Sequence, residues 1–119
     1  MDEKIRVAVN GYGVIGKRVA DAVRLQEDMT LAGVADIVDD YRLQVAARAG
    51  LPVHAATPQA EAPMRAAGIA VAGGLSELLA QSDVVVDCTP KKVAAINKGV
   101  YEAAGVKAIF HGGESHALT

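Results

Sequence analysis

Several residue types that mark other protein classes are scarce in this sequence of 119 residues. It has one cysteine, Cys88, which excludes an internal disulfide and a metal site built from several cysteines. No apolar run approaches the roughly 20 residues that a membrane-spanning helix needs. The opening MDEKIRVAV lacks a small-residue cleavage site, so no secretory signal is expected. These absences predict a cytoplasmic globular protein with no membrane partner.

Basic residues are not in excess either. The chain has 12 Lys and Arg against 14 Asp and Glu, a formal net charge of −2. Nucleic-acid binding needs a basic surface, so nucleic acid is not expected as a partner. The histidines His54, His111 and His116 lack the spacing of metal ligands, and we predict no metal site. A chain of this length forms one hydrophobic core, which predicts a single domain over residues 1–119.

Apolar residues instead alternate between a period of two and a period near 3.6, which indicates strands alternating with helices. This order is typical of an α/β domain with a Rossmann-like, doubly wound and mainly parallel sheet. The predicted strands cover residues 5–9, 30–35, 53–55, 69–71, 83–88 and 107–110. The predicted helices cover residues 13–24, 41–49, 60–67, 76–81 and 92–104.

Three glycines, Gly11, Gly13 and Gly16, separate the first strand from the first helix in the segment VNGYGVIGKRVADAV. In a dinucleotide-binding loop the first glycine permits the tight turn, the second lets the backbone approach a pyrophosphate, and the third lets helix and strand pack closely. The phosphates then meet free N–H groups at the positive end of the helix dipole. The context favours a dinucleotide site, while a plain turn with one packing glycine stays open as the alternative.

An acidic residue, Asp36, follows 20 residues after Gly16, at the end of the second predicted strand. A carboxylate there accepts hydrogen bonds from the adenosine ribose hydroxyls and repels a 2′-phosphate, so NAD is the favoured cofactor, with NADP possible. The alternative is a solvated loop acid beside Asp39 and Asp40. Thr89 and Pro90 end a valine-rich strand and are expected near the same crevice.

Three segments resemble, in order and spacing, the nicotinamide-binding half of the archaeal type (type II) of glyceraldehyde-3-phosphate dehydrogenase. They are VNGYGVIGKRVADAV, VVVDCTP at residues 84–90 and AIFHGGE at residues 108–114. The resemblance implies an oxidoreductase of glycolysis and gluconeogenesis that converts glyceraldehyde 3-phosphate, phosphate and NAD(P) to 1,3-bisphosphoglycerate as a homo-oligomer, a tetramer. It places the cofactor at Val14 and Ile15, and at Gly112 or Gly113.

The chain departs from the family pattern at several positions. Val14 replaces a usual Thr, which removes a hydroxyl and keeps the backbone donors. Asp36 and Ile37 replace a frequent Lys-Thr pair, and because Lys suits a 2′-phosphate, this chain should favour NAD more than its relatives do. His111 stands where Gln is common. The family's nucleophilic cysteine lies beyond the GGE segment, past Thr119, so the catalytic domain is absent and the chain alone is expected to be inactive.

No catalytic residue is predicted in this chain. Cys88 follows a strand expected to be buried and has no evident partner base, so packing is the favoured interpretation. His111 has a second hypothesis, a hydrogen bond from a neutral imidazole to the cofactor. The predicted cofactor-binding residues are Gly11, Tyr12, Gly13, Val14, Ile15, Gly16, Asp36, Thr89, Pro90, Gly112 and Gly113.

Two other functions stay open. One is the nucleotide domain of a homoserine dehydrogenase or of a dihydrodipicolinate reductase type of enzyme, because these share the glycine loop. The other is a freestanding module that senses NAD. An apolar face left open where a second domain would dock makes self-association of the chain an expectation as well.

Overall fold

The computed structural model describes residues 4–12, 14–37, 41–89 and 91–110. These ranges contain six strands that form one parallel sheet. The strands are β1 (Ile5–Asn10), β2 (Met29–Asp36), β3 (Val53–Ala55), β4 (Val71–Gly74), β5 (Val84–Asp87) and β6 (Lys107–Phe110). The helices are α1 (Val14–Arg24), α2 (Tyr41–Arg48), α3 (Pro58–Ala66), α4 (Leu75–Ala80) and α5 (Lys91–Ala104). The predicted α/β class with a doubly wound parallel sheet is confirmed.

The two faces of the sheet carry separate hydrophobic clusters. Helices α1, α2 and α3 pack on one face, where Val9 and Val34 of the sheet contact a cluster that includes Leu43. Helices α4 and α5 pack on the other face, where Ala8 and Val85 belong to a second cluster. Strands covered on both faces need apolar residues at successive positions, which explains the valine-rich sequence of β5.

The order of the strands across the sheet is β4-β3-β2-β1-β5-β6. From β1 the chain first moves outward through β2, β3 and β4, and then returns to place β5 on the other side of β1. Loops that leave β1 and β5 therefore run to opposite faces of the sheet. In open α/β sheets such a reversal opens a ligand crevice at the carboxyl ends of the strands.

Strand β4 lies later in the chain than predicted, at Val71–Gly74 rather than 69–71. Gly68 has a φ of +88°, and the N–H of Ile69 donates to the carbonyl oxygen of Met64 at 3.0 Å. These are features of a helix C-terminus, where a left-handed glycine lets later N–H groups satisfy the last carbonyls. Ile69 therefore completes the end of α3, and the strand starts after it.

Within the described ranges, none of the helices combines the length and the apolar character that crossing a membrane requires.

Candidate dinucleotide-binding crevice

The turn that leaves β1 brings the main chain against the loop after β5. Gly11 has a φ of +94°, and a Cβ on it would lie 2.9 Å from the carbonyl carbon of Cys88 and 2.9 Å from the nitrogen of Thr89. The N–H of Gly11 donates to the carbonyl oxygen of Ala35 at 2.7 Å. Both the positive φ and the close approach require glycine. Gly11 thus contacts the chain on both sides of β1.

The third glycine of the motif allows α1 to begin directly against this turn. A Cβ on Gly16 would lie 2.0 Å from the carbonyl oxygen of Gly11, which no side chain could tolerate. The first and third glycines therefore have the local geometry that the motif requires. Some of the predicted site residues lie outside the described ranges: Gly13, Pro90, Gly112 and Gly113, together with His111.

Helix α1 starts at Val14, and the Ile15 side chain is exposed beside its first turn. The first N–H groups of an α-helix have no partner within the helix and carry the positive end of its dipole. The first turn of α1 contains no acidic residue that would satisfy this charge. The Lys17 ammonium bonds Asp21 one turn further along at 2.9 Å. The helix start is therefore suited to an anion.

Asp36 lies at the end of β2 and is half-buried. One carboxylate oxygen accepts the N–H of Tyr12 at 2.7 Å, and the other accepts the N–H of Ile37 at 2.7 Å. Each carboxylate oxygen has two lone pairs, so each keeps one acceptor position for a ligand hydroxyl. The glycine loop therefore orients the Asp36 carboxylate at the end of β2. Asp39 and Asp40, its neighbours in the alternative of a solvated loop acid, lie outside the described ranges.

Tyr12 contributes its backbone to this site, and its side chain lies elsewhere. The phenol ring is buried in the first core cluster with Val9 and Ala20. Burial raises the pKa of the Tyr12 hydroxyl, and the nearby Asp21 carboxylate adds to the effect. The sequence motif does not reveal this burial, because the aromatic residue stands inside a loop pattern.

A second group of polar residues, not singled out in the sequence, surrounds Asp87 at the end of β5. The Asp87 side chain is fully buried. It accepts hydrogen bonds from the Thr89 N–H at 2.9 Å, from the Thr89 hydroxyl, from Asn97 Nδ2 at 3.1 Å, and from the Tyr101 hydroxyl. Thr89, a predicted site residue, is therefore held at the crevice through Asp87.

Asn10 extends this polar group to β1, where it pairs in register with Asp87. Its Nδ2 donates to the Tyr101 hydroxyl at 2.8 Å, and its buried Oδ1 has no hydrogen-bond partner among the described residues. Burial raises the pKa of Tyr101, so the hydroxyl stays protonated and donates to Asp87. One signal could have indicated these residues: Asn10 and Asp87 are polar residues at the carboxyl ends of β1 and β5, and each follows three apolar residues.

Cys88 and His54 are both at least half-buried. Cys88 is half-buried directly after β5 and packs against the first core cluster. His54 is buried in β3, next to Gly33, where a Cβ would lie 2.9 Å from the imidazole Cε1. Burial lowers the pKa of His54. The described ranges contain no group of three or more His, Cys, Asp or Glu side chains that could hold a metal ion.

The geometry fits a dinucleotide on three counts. The glycine cradle around Gly11 and Gly16 has no room for side chains. The first turn of α1 contains no acidic residue, and the first N–H groups of an α-helix have no partner within the helix. Asp36 presents an oriented carboxylate at the end of the adjacent strand. These are the elements with which Rossmann-like folds hold a diphosphate and a ribose.

Comparisons with known proteins identify a matching family model and several similar sequences. A family model described as dihydrodipicolinate reductase, N-terminus, matches residues 5–111. The glyceraldehyde-3-phosphate dehydrogenase of Methanococcoides burtonii is 50% identical over 116 residues, which cover 98% of this chain and 34% of that protein. The enzyme of the same name from Thermococcus kodakarensis is 51% identical over 111 residues, covering 93% of this chain and 33% of that protein. The chain thus spans about a third of the length of these relatives.

Solved structures share the fold. An NAD-binding protein from Listeria innocua superimposes with a TM-score of 0.64 at 18% identity, over 91% of this chain and 27% of that one. GenD2 from gentamicin A biosynthesis, in complex with NAD, has a TM-score of 0.61 at 26% identity, over 92% of this chain and 27% of that one. With the family model matched from β1 to the end of β6, the chain belongs to the family of dihydrodipicolinate reductase N-terminal domains.

Proposed function

We propose that this chain binds NAD as the cofactor-binding half of a phosphorylating glyceraldehyde-3-phosphate dehydrogenase. The observation that carries the proposal is the Asp36 carboxylate, held at the carboxyl end of β2 by the Tyr12 N–H at 2.7 Å. It lies beside a glycine turn that has no space for side chains. Identity of about 50% to archaeal enzymes of that name supports the choice among dinucleotide-binding functions.

Each element of the crevice has a part in this proposal. The N–H groups of Val14 and Ile15, at the start of α1, bind the diphosphate. The free lone pairs of Asp36 accept the hydroxyls of the adenosine ribose. Thr89 lies on the β5 side of the crevice, where the nicotinamide half of the molecule passes. The family resemblance adds Gly13, Pro90 and either Gly112 or Gly113, which lie outside the described residues.

The Asp36 carboxylate also favours NAD over NADP. A 2′-phosphate on the adenosine ribose would place a second anion next to the Asp36 carboxylate, and neighbouring like charges repel each other. The Ile37 side chain that follows is exposed and apolar, so it offers no cation to bind the phosphate. NADP therefore binds more weakly than NAD in this proposal.

The complete reaction is proposed for a protein of the relatives' full length. Such a protein would oxidise glyceraldehyde 3-phosphate with phosphate and NAD, as a cytoplasmic homotetramer without nucleic-acid or membrane partners. The domain over residues 1–119 contributes the dinucleotide site, and a separate catalytic domain contributes the nucleophile. Because that domain would cover the nicotinamide, binding to this chain by itself is expected to be weak.

A second candidate is the nucleotide domain of a dihydrodipicolinate reductase. The family model, matched over residues 5–111, favours it. The matches to archaeal dehydrogenases at about 50% identity favour the first candidate, because they span nearly the whole chain. Two assays of a full-length polypeptide carrying this chain separate the candidates. One supplies glyceraldehyde 3-phosphate, phosphate and NAD and follows NADH formation, and the other supplies dihydrodipicolinate and NADH and follows NADH consumption.

The direct test is a titration of the isotopically labelled chain with NAD, followed by its amide resonances. We expect saturable shifts at Val14, Ile15 and Ile37, with weaker binding of NADP. The Arg6 and Asp83 amides are the internal control, since they lie at the amino ends of β1 and β5, away from the crevice. The Arg6 N–H donates to the Asp83 carboxylate, and the Asp83 N–H donates to the Arg6 carbonyl oxygen. The absence of any saturable change at millimolar NAD would contradict the proposal.

A further inference from the structure

A buried carboxylate stands on the β5 side of the crevice without an assigned role. Asp87 is fully buried, and the hydrogen bonds it accepts in the described part of the chain all come from neutral donors. An ionised carboxylate accepts about four hydrogen bonds, one at each lone pair. Burying it is costly unless these are made. The four donors around Asp87 must therefore stay in place together, which makes this part of the fold rigid.

The donors come from two segments of the chain, the turn after β5 and helix α5. Thr89 bonds Asp87 through both its N–H and its hydroxyl, which closes a tight turn immediately after β5. Asn97 and Tyr101 bond the same carboxylate from α5. Through Asp87, α5 therefore determines where the turn after β5 lies.

That turn is the wall that faces the glycine loop. Its backbone at Cys88 and Thr89 lies so close to Gly11 that a Cβ there would be 2.9 Å from either residue. Tyr101 links the two walls directly, because its hydroxyl donates to Asp87 and accepts from Asn10 at the end of β1. A shift of Asp87 would thus move the crevice wall relative to the glycine loop.

We propose that Asp87, held by Tyr101 and Asn97, is a positioning residue that sets the β5 wall of the crevice for the nicotinamide ribose half of the dinucleotide. The inference rests on the proposed function. A dinucleotide lies across the reversal of strand order. Its adenosine half is placed on the β2 side by Asp36, so its other half lies against the turn after β5. Asp87 and its hydrogen-bond donors therefore affect the binding of the nicotinamide ribose half and leave the binding of the adenosine half unchanged.

The test compares the affinities of the chain for NAD and for ADP, which lacks the nicotinamide ribose. Tyr101→Phe removes the hydroxyl that bridges Asp87 and Asn10. We expect the dissociation constant for NAD to rise by about tenfold, because the turn after β5 is no longer held in the position that binds the nicotinamide ribose half, and that for ADP to stay within about twofold. Asn97→Ala removes a half-buried donor to Asp87 and should raise the ratio of the dissociation constants for NAD and ADP as well. This variant provides the test if Tyr101→Phe does not fold.

A core variant away from the crevice separates positioning from general stability. Met64→Ala in α3 leaves a cavity in the other core cluster and lowers the free energy of unfolding. It should leave the NAD-to-ADP ratio unchanged. An equal change of the ratio in Met64→Ala, or an unchanged ratio in both Tyr101→Phe and Asn97→Ala, overturns the positioning role. A wild-type chain that binds neither NAD nor ADP overturns the proposed function itself.

Discussion

The carboxylate of Asp36 accepts the backbone N–H of Tyr12 at 2.7 Å, which connects the end of β2 to the glycine loop. The same side chain is the proposed acceptor for the adenosine ribose. One residue therefore shapes the loop that binds phosphate and also contacts the sugar. Substitutions at Asp36 will consequently affect both parts of the site together.

We expect Asp36→Asn to weaken NAD binding without creating a preference for NADP. The new amide cannot accept hydrogen bonds at its nitrogen, so either Tyr12 or Ile37 loses its partner. NAD affinity should fall by about tenfold, because a charge-assisted hydrogen bond is lost. Calorimetric titration with NAD and NADP measures both affinities.

Asp83→Asn is the control for Asp36→Asn, since Asp83 bonds the exposed Arg6 guanidinium and lies at the opposite end of β5. NAD affinity should be unchanged in it. One outcome would contradict this role of Asp36. If Asp36→Asn has the thermal stability of wild type, and binds NADP more tightly than wild type binds NAD, then Asp36 does not hold the loop.

Gly16→Ala should destabilise the fold and abolish dinucleotide binding. Its methyl group would lie 2.0 Å from the Gly11 carbonyl oxygen, so α1 must move away from β1. Overpacking of this kind costs about 1–3 kcal/mol of unfolding free energy. Urea denaturation measures the loss.

Gly99→Ala in α5 is the matched control for Gly16→Ala. A Cβ at Gly99 meets nothing within 4 Å, so this change should stabilise the helix by roughly 0.5–1 kcal/mol. Equal effects of the two substitutions would contradict the close contact.

His54 makes the stability of the chain depend on pH. Burial lowers the pKa of His54 below its usual 6.5, so the folded state disfavours the protonated imidazole. The unfolded chain binds the proton first, and stability is therefore lost as the pH falls below about 6.5. The slope from this group is at most about 1.4 kcal/mol per pH unit.

Urea denaturation between about pH 5 and pH 8 measures this dependence, because histidine titrates in that interval. His54→Leu should flatten the profile over the lower part of the interval. A profile that His54→Leu does not alter would show that another group is responsible.

The edge strand β6 leaves an apolar side chain in water. Ile109 is 57% exposed on this strand, and unpaired edges with apolar residues favour association. We expect the chain to self-associate weakly as its concentration rises, and Ile109→Lys to keep it monomeric. Sedimentation velocity over a range of concentrations measures this. Leu25→Lys, at a residue 84% exposed in the turn after α1, should leave association unchanged. If the wild-type chain stays monomeric over the whole range of concentrations, β6 does not mediate association.

Most of the fold followed from patterns local in the chain. The change of period at the glycine loop located β1 and α1, and the apolar run SDVVVDC located β5. The end of α3 was harder to predict, because Ile69 has the apolar character of a strand residue. Only its hydrogen bond to Met64 assigns it to the helix terminus.

The sequence by itself determined the alternation of strands and helices, the place of the glycine turn and the acid at the end of β2, because periodicity and short spacings are local properties of the chain. Only the tertiary structure decided that the Tyr12 ring enters the core and that Asn10 meets Tyr101, which lies 91 residues later. Such contacts depend on strand order and register. These are decided when distant segments bury their apolar faces against one another, and no short stretch of residues encodes them.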